Sequence, residues 1–425
     1  MLKASFLLLT VAAALGAQNF SDLRPSPQQV GWQDLEIGAI IHFGPNTFLN
    51  QEWGDGTADP KIFNPTQFDP NQWMLAAKSA GVKYVVFVAK HHDGFCLWPS
   101  HYTDYSVKSS PWKNGHGDVV REVAEAARRN GLKFGVYLSP WDRHEPSYKN
   151  NAAYDVHYRQ QLEELASHYG DLVEFWLDGA GSAGHVYDFD SYIETLRTYQ
   201  QNALIFADVG FLKYGDIRWV GNESGLAKET NWNVVDRLGY LRWRPAEADT
   251  PLRKLHWFWH PNDEKSLKSL DELVDTYNKT VGRGAQLMLG LAPDNRGLLP
   301  DSDVARLREF GDAVNNIYGH ELGRDCNFMI GPAPATYFTV SCGKPTTFDR
   351  AVTMEDLTQG QHVMEYEITA DVGGQSKVLY RGTTIGHKKI DIFPAVTATT
   401  VSLHVIRSVG EPHIRSFRVY SGASR

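Results

Sequence analysis

The repeated alternation of short apolar runs with helical patterns is the feature that most constrains the fold of this chain. Eight β-rich runs of strand length occur between residues 37 and 293, and helical patterns separate many of them. This alternation is typical of parallel β/α architecture, and eight strands over about 250 residues predict an α/β fold of the (β/α)8 TIM-like barrel type. The runs cover residues 37–44, 84–90, 134–140, 173–179, 203–209, 218–223, 255–260 and 285–293.

The sequence pattern changes after the last of these units. The chain has 425 residues, and domains usually hold about 100–200 residues, so a barrel leaves room for a second, smaller module. From about residue 319 short alternating strands and turns predict an all-β sandwich. We expect the barrel to be least regular after its fifth and sixth strands. The predicted division is a signal peptide at 1–17, a catalytic (β/α)8 barrel at 18–318 and a C-terminal β-sandwich domain at 319–425.

The N-terminus has the pattern of a secretory signal peptide. One basic residue is followed by a short apolar segment and by small residues around Gly16 and Ala17, and the segment is too short to span a bilayer as a helix. We therefore expect a secreted or otherwise exported protein with no membrane partner. Export permits disulfides, and of the three cysteines Cys326 and Cys342 are the more plausible pair, with Cys96 left over.

Charge and composition limit the class of ligand. The 42 Lys and Arg residues against 50 Asp and Glu residues give a net charge of −8 without blocks of like charge, so nucleic acid is not an expected partner. The chain also contains 12 Trp and 19 Tyr residues. Aromatic faces stack well on sugars, but a large core uses the same residues, and composition alone leaves both explanations open.

Polar and aromatic residues stand at the ends of the predicted strands. The run at 173–179 ends in Asp178, and an ionisable group at the end of a buried strand is costly unless it has a function. In a barrel of this type the active site is built at the C-terminal ends of the strands. The residues at those ends are His42, His91, His92, Asp93, Tyr137, Trp141, Trp176, Asp178, Glu223, Trp257, Trp259 and His260.

Three chemistries use such residues. A zinc site usually has spacings such as His-x-His, whereas the neighbours His91 and His92 point in different directions on an extended chain, so no metal or other cofactor is expected. A serine nucleophile needs a Gly-x-Ser-x-Gly elbow, which the sequence lacks. Glycoside hydrolysis needs two carboxyl groups, histidines that bind sugar hydroxyls and an aromatic wall. The sequence supplies all three requirements.

Asp178 and Glu223 are the candidate carboxyl pair. Asp178 would act as nucleophile or charge stabiliser, and Glu223 as the proton donor, which we expect to be partly buried against tryptophan. A separation of about 5–5.5 Å would imply retention of anomeric configuration, and about 6.5–9.5 Å inversion. The residues alone leave both outcomes open.

Five ordered motifs make the chain similar to glycoside hydrolase family 29, the α-L-fucosidases. They are Ile-Gly-Ala-Ile-Ile-His-Phe-Gly-Pro-Asn-Thr-Phe at 37–48 with Gln-Glu-Trp-Gly at 51–54, Ala-Lys-His-His-Asp-Gly-Phe at 89–95, Tyr-Leu-Ser-Pro-Trp-Asp at 137–142, Glu-Phe-Trp-Leu-Asp-Gly at 174–179 and Trp-Val-Gly-Asn-Glu at 219–223. The resemblance implies a retaining exo-hydrolase of terminal L-fucose in which Asp178 matches the family nucleophile. The positions that match its fucose pocket are His42, Trp53, His91, His92 and Tyr137.

The motif Gly-Asn-Glu at 221–223 resembles the branch of this family that cleaves α-1,3 and α-1,4 linkages in fucosylated oligosaccharides or glycoconjugates. In that branch Glu223 matches the acid/base. Glu247 is a rival acid that could instead hold the leaving sugar. One departure from the family is Gly290, where we expect asparagine. Further candidate substrate-binding residues are Trp176 and Trp259, the latter favoured only slightly over Trp257, followed by Glu52 and Trp141.

Two other functions remain open. A lectin-like protein that binds fucose without catalysis would use the β-domain as its binding module, although the intact carboxyl pair argues against it. A retaining hydrolase of another sugar would need the same carboxyl groups. The glycosylation sequon at Asn222 lies beside the proposed acid, and a glycan there would block the site. We therefore expect Asn222 to be unmodified.

Overall fold

Eight parallel strands form a nearly closed barrel in the computed structural model, which describes residues 20–207, 215–237, 240–319, 321–322, 326–332 and 336–422. In hydrogen-bonded order the strands cover residues 204–207, 174–177, 133–138, 84–90, 37–41, 286–291, 246–251 and 218–219. A parallel bridge between Phe206 and Ile217 joins the two ends of this order. The predicted (β/α)8 barrel is confirmed. The predicted signal peptide at 1–17 lies outside the described residues.

The barrel strands are short, and most are buried along their whole length because helices cover the sheet from outside. An antiparallel hairpin of β7 and β8, in place of a helix, precedes β9, so the barrel is irregular where the sequence predicts it. The barrel strands are β1 Ile37–Ile41, β2 Tyr84–Lys90, β3 Lys133–Leu138, β4 Glu174–Leu177, β5 Leu204–Ala207, β6 Arg218–Trp219, β9 Ala246–Pro251 and β10 Gln286–Leu291, and the hairpin strands are β7 Val234–Arg237 and β8 Tyr240–Trp243.

The predicted seventh strand at 255–260 is wrong. The barrel strand is Ala246–Pro251, and residues 255–260 belong to the loop after it, where Leu255 has a φ of 67° and is 89% exposed. The sequence Ala-Glu-Ala-Asp-Thr-Pro does not look like a buried strand, because alternate side chains on a strand point the same way and two of those positions carry carboxyl groups. The apolar aromatic run beyond it gives the stronger but misleading pattern.

Most of the helices begin at side-chain caps and bury an apolar face against the barrel. Asp69, Asp118, Asp188 and Ser269 each accept a backbone hydrogen bond in the first turn of the helix that follows, which stabilises a helix start by about 1 kcal/mol. The helices are α1 Pro27–Gln33, α2 Pro45–Leu49, α3 Pro70–Ser79, α4 Val119–Arg129, α5 Asn151–His168, α6 Phe189–Tyr199, α7 Leu270–Thr280 and α8 Asp301–Tyr318. In the described part of the chain, none of them is both long and apolar enough to cross a membrane.

The C-terminal part is an antiparallel all-β domain, as predicted. Its six strands form one continuous sheet with its own apolar core, and register shifts between the two longest strands, β12 and β15, allow the sheet to bend over that core. Cys326 and Cys342 form a disulfide there, while Cys96 is a buried free thiol. The strands are β11 Asn327–Ile330, β12 Tyr337–Glu355, β13 Val363–Val372, β14 Gln375–Gly382, β15 Lys389–Ser408 and β16 Ile414–Tyr420.

The β-domain contacts the barrel near the N-terminal ends of barrel strands. Glu36, directly before β1, forms an ion pair with Lys388, and the amide of Ile390 donates to the carbonyl of Gly282, shortly before β10. Glu229, in the loop after β6, pairs with Lys389. Two of these contacts lie at the strand ends opposite those that build the active site in this architecture.

Candidate active site

A cavity of about 270 Å³ opens at the C-terminal ends of the barrel strands. Eight of the predicted site residues line it, although they lie up to 181 residues apart in the sequence (42 to 223). They meet because they belong to, or follow, different strands of the same ring. The lining residues are Ile40, His42, Trp53, His91, His92, Tyr137, Trp176, Asp178, Ala180, Phe206, Trp219, Glu223, Asp249 and Trp257.

Asp178 lies directly after β4 and is held by two hydrogen bonds. The hydroxyl of Tyr137 donates to its Oδ2 over 2.9 Å, and the backbone amide of Ala180 donates to its Oδ1 over 2.9 Å. Nε2 of His92 lies 3.7 Å from Oδ2. The side chain keeps 31% of its surface exposed, and it lines the cavity. Asp178 is therefore an oriented, accessible carboxylate.

Three histidines form one wall of the cavity. Burial lowers the pKa of His42 to about 3, and burial together with the neighbouring histidines lowers the pKa of His91 well below its usual value. Both rings are therefore neutral at neutral pH, and a neutral imidazole offers one donor and one acceptor to a sugar hydroxyl.

The expectation that His91 and His92 point in different directions is wrong. Both line the cavity, with 4.1 Å between ring centroids, because β2 ends at Lys90 and the chain is no longer extended at the two histidines. In the described part of the chain, no group of three or more His, Cys, Asp or Glu side chains has the arrangement of a metal site.

Glu223 lies on the rim of the same cavity. It follows β6 by four residues and is exposed, so the expectation of partial burial against tryptophan is wrong. The loop that carries it is held by Asn222, whose side-chain oxygen accepts from the amide of Ser224 over 3.1 Å and whose Nδ2 donates to the carbonyl of Leu226 over 3.2 Å. The amide of the sequon asparagine thus takes part in the structure of the loop.

Asp249 is a cavity residue that the sequence analysis missed. The residue is only 7% exposed, and Nε1 of Trp219 donates to its Oδ1 over 2.5 Å. Burial and the negative charges of Glu223 and Asp178 raise the pKa of Asp249 to about 7. Had β9 been recognised, strand alternation would have indicated it, because Asp249 is two residues beyond Glu247 and nearer the C-terminal end of the strand.

Comparison with known proteins identifies the family. The family model described as alpha-L-fucosidase matches residues 57–319. This chain belongs to the α-L-fucosidase family. Alpha-L-fucosidase 1 of Arabidopsis thaliana is 37% identical over 94% of this chain and 89% of the plant protein. A glycoside hydrolase 29 family member from an unknown rumen bacterium is 38% identical, with a TM-score of 0.88 over 94% of this chain and 77% of that one. A Ruminococcus gnavus GH29 fucosidase in complex with fucose is 30% identical, with a TM-score of 0.85 over 95% and 96% of the two chains.

Glu247 does not reach the cavity of this fucosidase. Its side chain is fully buried inside the barrel, where its Oε2 accepts from the hydroxyl of Tyr84 over 2.9 Å. Burial and the neighbouring Glu174 hold the pKa of Glu247 well above its usual value. The interpretation of Glu247 as an acid or as a ligand of the leaving sugar is therefore wrong.

Trp257, and not Trp259, lines the fucosidase cavity. Gly290 explains how Trp257 fits, because a Cβ atom at that position would lie 2.6 Å from the Trp257 ring. The departure from asparagine thus makes room for an indole.

Two further predicted residues support the fucosidase site from outside. Glu52 accepts hydrogen bonds from the amides of Trp257 and Phe258, over 2.9 and 3.3 Å, and so holds the loop that carries Trp257. Trp141 packs on His92 with 5.1 Å between ring centroids. Neither is among the residues that line the cavity.

Proposed function

We propose that the enzyme is a retaining exo-fucosidase in which Asp178 is the nucleophile and Glu223 the acid/base. The observation that carries the proposal is that both carboxyl groups open into one cavity, Asp178 oriented by Tyr137 and Ala180 and Glu223 free on the rim. An exo-enzyme binds a terminal sugar in the cavity and leaves the rest of the glycan outside. An acid on the rim is placed where the leaving oxygen would be.

The proposed reaction has two displacements. Asp178 attacks the anomeric carbon, the bond to the leaving oxygen breaks, and Glu223 gives its proton to that oxygen. Water then attacks the anomeric carbon of the glycosyl-enzyme, Glu223 takes the proton of that water, and the bond to Asp178 breaks. Two inversions restore the original anomeric configuration. Glu223 gives up its proton in the first step and regains one from water in the second.

The cavity suits a deoxy sugar. L-fucose carries a methyl group where common hexoses carry a hydroxymethyl group, and part of the cavity wall is apolar or aromatic, formed by Ile40, Trp176, Phe206 and Trp257. Burying a methyl against such a wall is favourable by about 0.8 kcal/mol, whereas a buried hydroxyl without a partner is costly. The neutral rings of His42 and His91, which also line the cavity, supply hydrogen bonds that ring hydroxyls need.

The preference for α-1,3 and α-1,4 linkages rests on the motif that ends in Glu223 and on the form of the rim. Trp53 is 53% exposed beside the cavity and offers a flat aromatic face to a second sugar. Release of fucose from a panel of linkage-defined oligosaccharides tests this part of the proposal. Faster cleavage of α-1,2 or α-1,6 linkages than of α-1,3 and α-1,4 linkages would contradict it.

The test of the catalytic roles uses Asp178→Ala and Glu223→Ala with an activated aryl fucoside. Loss of a nucleophile or of general acid/base catalysis lowers the rate by about 10²-fold or more. Azide should restore the activity of both variants. The product should be the inverted β-fucosyl azide with Asp178→Ala and the retained α-fucosyl azide with Glu223→Ala. Glu125→Ala, which removes an exposed carboxylate on α4, is the control that should keep full activity. Unchanged activity in either site variant would contradict the assigned roles.

The same assays separate the other candidate functions. Turnover of any fucoside excludes a lectin-like protein without catalysis. Cleavage of only the α-L-fucoside in a panel of aryl glycosides excludes a hydrolase of another sugar.

We also propose that the protein is exported. The N-terminal sequence pattern and the Cys326–Cys342 disulfide both suit an oxidising compartment. N-terminal sequencing of protein from the medium of a secreting host should begin near residue 17 or 18. Peptide mapping of that material should find Asn222 unmodified, and a glycan at Asn222 would contradict this part of the proposal.

A further inference from the structure

Asp249 is the most buried acidic residue that lines the cavity, and it has no role in the two-step reaction proposed above. It lies on β9, four positions around the ring of eight strands from β3, which carries Tyr137. Asp249 therefore faces the sugar position from the side opposite Tyr137. Asp178 and Asp249 line the same cavity, so a sugar held at Asp178 shares that space with Asp249.

The two oxygens of Asp249 have different surroundings. Oδ1 accepts the hydrogen bond from Nε1 of Trp219, while Oδ2 accepts no side-chain hydrogen bond from the residues that the structure describes. Asp249 lines the cavity, so a ligand there can supply a hydrogen-bond partner to a carboxyl group that takes one side-chain hydrogen bond from the protein. Trp219 itself lines the cavity, so its indole fixes the orientation of the carboxyl group.

The charged groups around Asp249 disfavour a further negative charge. Glu223 on the loop after β6 and Asp178 after β4 both act on it. With burial, these two groups raise the pKa of Asp249 to about 7. The pKa of Glu247, two residues earlier on the same strand, is itself held well above its usual value by burial and by Glu174. Below that pH the carboxyl group is neutral and carries a hydrogen that it can donate.

We propose that Asp249 binds the sugar directly, by donating a hydrogen bond from its neutral carboxyl group to a ring hydroxyl of the fucose in the cavity. This inference rests on the proposed function, because it takes fucose as the occupant. Asp178 can only accept hydrogen bonds while it is ionised, so Asp249 adds a donor to the acidic side of the site. Ionisation of Asp249 removes the donor and places a further negative charge beside the sugar.

The first experiment measures L-fucose binding by calorimetry between pH 5 and 8.5. Glu223→Gln serves as the background, because it removes the titration of Glu223 and stops turnover from complicating the measurement. We expect the Kd of Glu223→Gln to rise about 10-fold across this range, and the Kd of Glu223→Gln/Asp249→Asn to change less than about 3-fold, because asparagine keeps a donor at every pH.

Glu247→Gln in the same background is the matched control. It also replaces a carboxyl group by an amide, two residues away on the same strand, but the side chain is buried below the cavity. The control should keep the 10-fold pH dependence. Loss of that dependence in the control, or its persistence in the Asp249→Asn variant, would overturn the inference.

The second experiment separates direct contact from an effect through Trp219. Asp249→Ala should weaken fucose binding by about 10- to 100-fold. Of the three sugars 2-, 3- and 4-deoxy-L-fucose, one lacks the hydroxyl that Asp249 binds. The binding of that sugar should weaken by less than about 3-fold. Equal losses for all three deoxy sugars and for fucose would mean that Asp249 only positions Trp219. If the wild-type protein neither binds fucose nor cleaves fucosides, the proposed function fails instead.

Discussion

Nδ1 of His92 lies 2.7 Å from the hydroxyl oxygen of Ser139. The single hydroxyl proton of Ser139 is donated to the carbonyl of Trp141 over 2.7 Å, so Ser139 can only accept from His92. Nδ1 of His92 therefore carries the hydrogen, and in the neutral ring Nε2 has the free lone pair. That nitrogen faces Asp178 across 3.7 Å. Burial lowers the pKa of His92, although Asp178 opposes this effect, so the ring presents an acceptor to the cavity.

Ser139→Ala should therefore loosen the orientation of His92 and allow its other tautomer. We expect kcat/KM on an aryl fucoside to fall by about 10-fold, the effect of about 1.4 kcal/mol in the binding of the reacting sugar. Ser100→Ala is the control, because it also removes a fully buried hydroxyl, one that donates to Glu164 over 2.8 Å away from the cavity lining. A similar kinetic loss in both variants would show a general effect on stability rather than on His92.

Tyr137→Phe should weaken the enzyme chiefly through Asp178. The change removes the 2.9 Å hydrogen bond to Oδ2 and keeps the buried ring. A hydrogen bond to a charged group is worth about 1.5–3 kcal/mol, so we expect kcat to fall by about 10- to 100-fold. Tyr158→Phe is the control, since that hydroxyl donates over 2.8 Å to the carbonyl of Leu138. Single-turnover kinetics should locate the loss in formation of the glycosyl-enzyme, and a loss only in product release would contradict the role.

The sequence predicted most of the barrel because apolar runs and helical caps are local features. It predicted the residues at the ends of β1 to β4 for the same reason, since each follows a recognisable strand. It failed at β9, where Glu247 and Asp249 point into the barrel and make a buried strand look polar. Long-range packing decides which of these two carboxyl groups reaches the cavity. The exposure of Glu223 also depends on tertiary structure and has no local pattern.

The choice between Trp257 and Trp259 shows a second limit of the sequence. Both tryptophans belong to one aromatic run, but only Trp257 lies over Gly290 of the neighbouring strand β10. Sequence reasoning noticed Gly290 only as a departure from the family and could not connect it with a side chain 33 positions earlier (257 to 290). The glycine and the indole are complementary in space, which a single sequence does not reveal.

Gly290→Ala should consequently disturb the cavity. The added Cβ would lie 2.6 Å from the Trp257 ring and 2.9 Å from the Cα atom of Pro251, and such overpacking usually costs about 1–3 kcal/mol. We expect a lower melting temperature and a KM raised by about 10-fold as Trp257 is displaced. Gly31→Ala on α1, where no atom lies within 4 Å of the new Cβ, should leave KM unchanged and raise stability slightly. Wild-type KM in Gly290→Ala would contradict the packing argument.

Glu247→Gln should make the stability of the enzyme less sensitive to pH. Burial raises the pKa of Glu174 to about 8 and that of its neighbour Glu247 well above the usual value. The folded state therefore holds protons between about pH 4.5 and 8 that the unfolded chain releases, so the free energy of unfolding falls as the pH rises through this range. Glutamine at 247 can accept the hydrogen bond from the Tyr84 hydroxyl and donate one to Glu174. Glu174 can then ionise, because the indole nitrogens of Trp32 and Trp176 still donate to it over 3.0 and 2.6 Å. Urea unfolding should give similar midpoints for variant and wild type at pH 5 and a higher midpoint for the variant at pH 8.5. The same difference at both pH values would contradict the raised pKa of Glu247. Glu125→Gln, at an exposed position, should match wild type throughout.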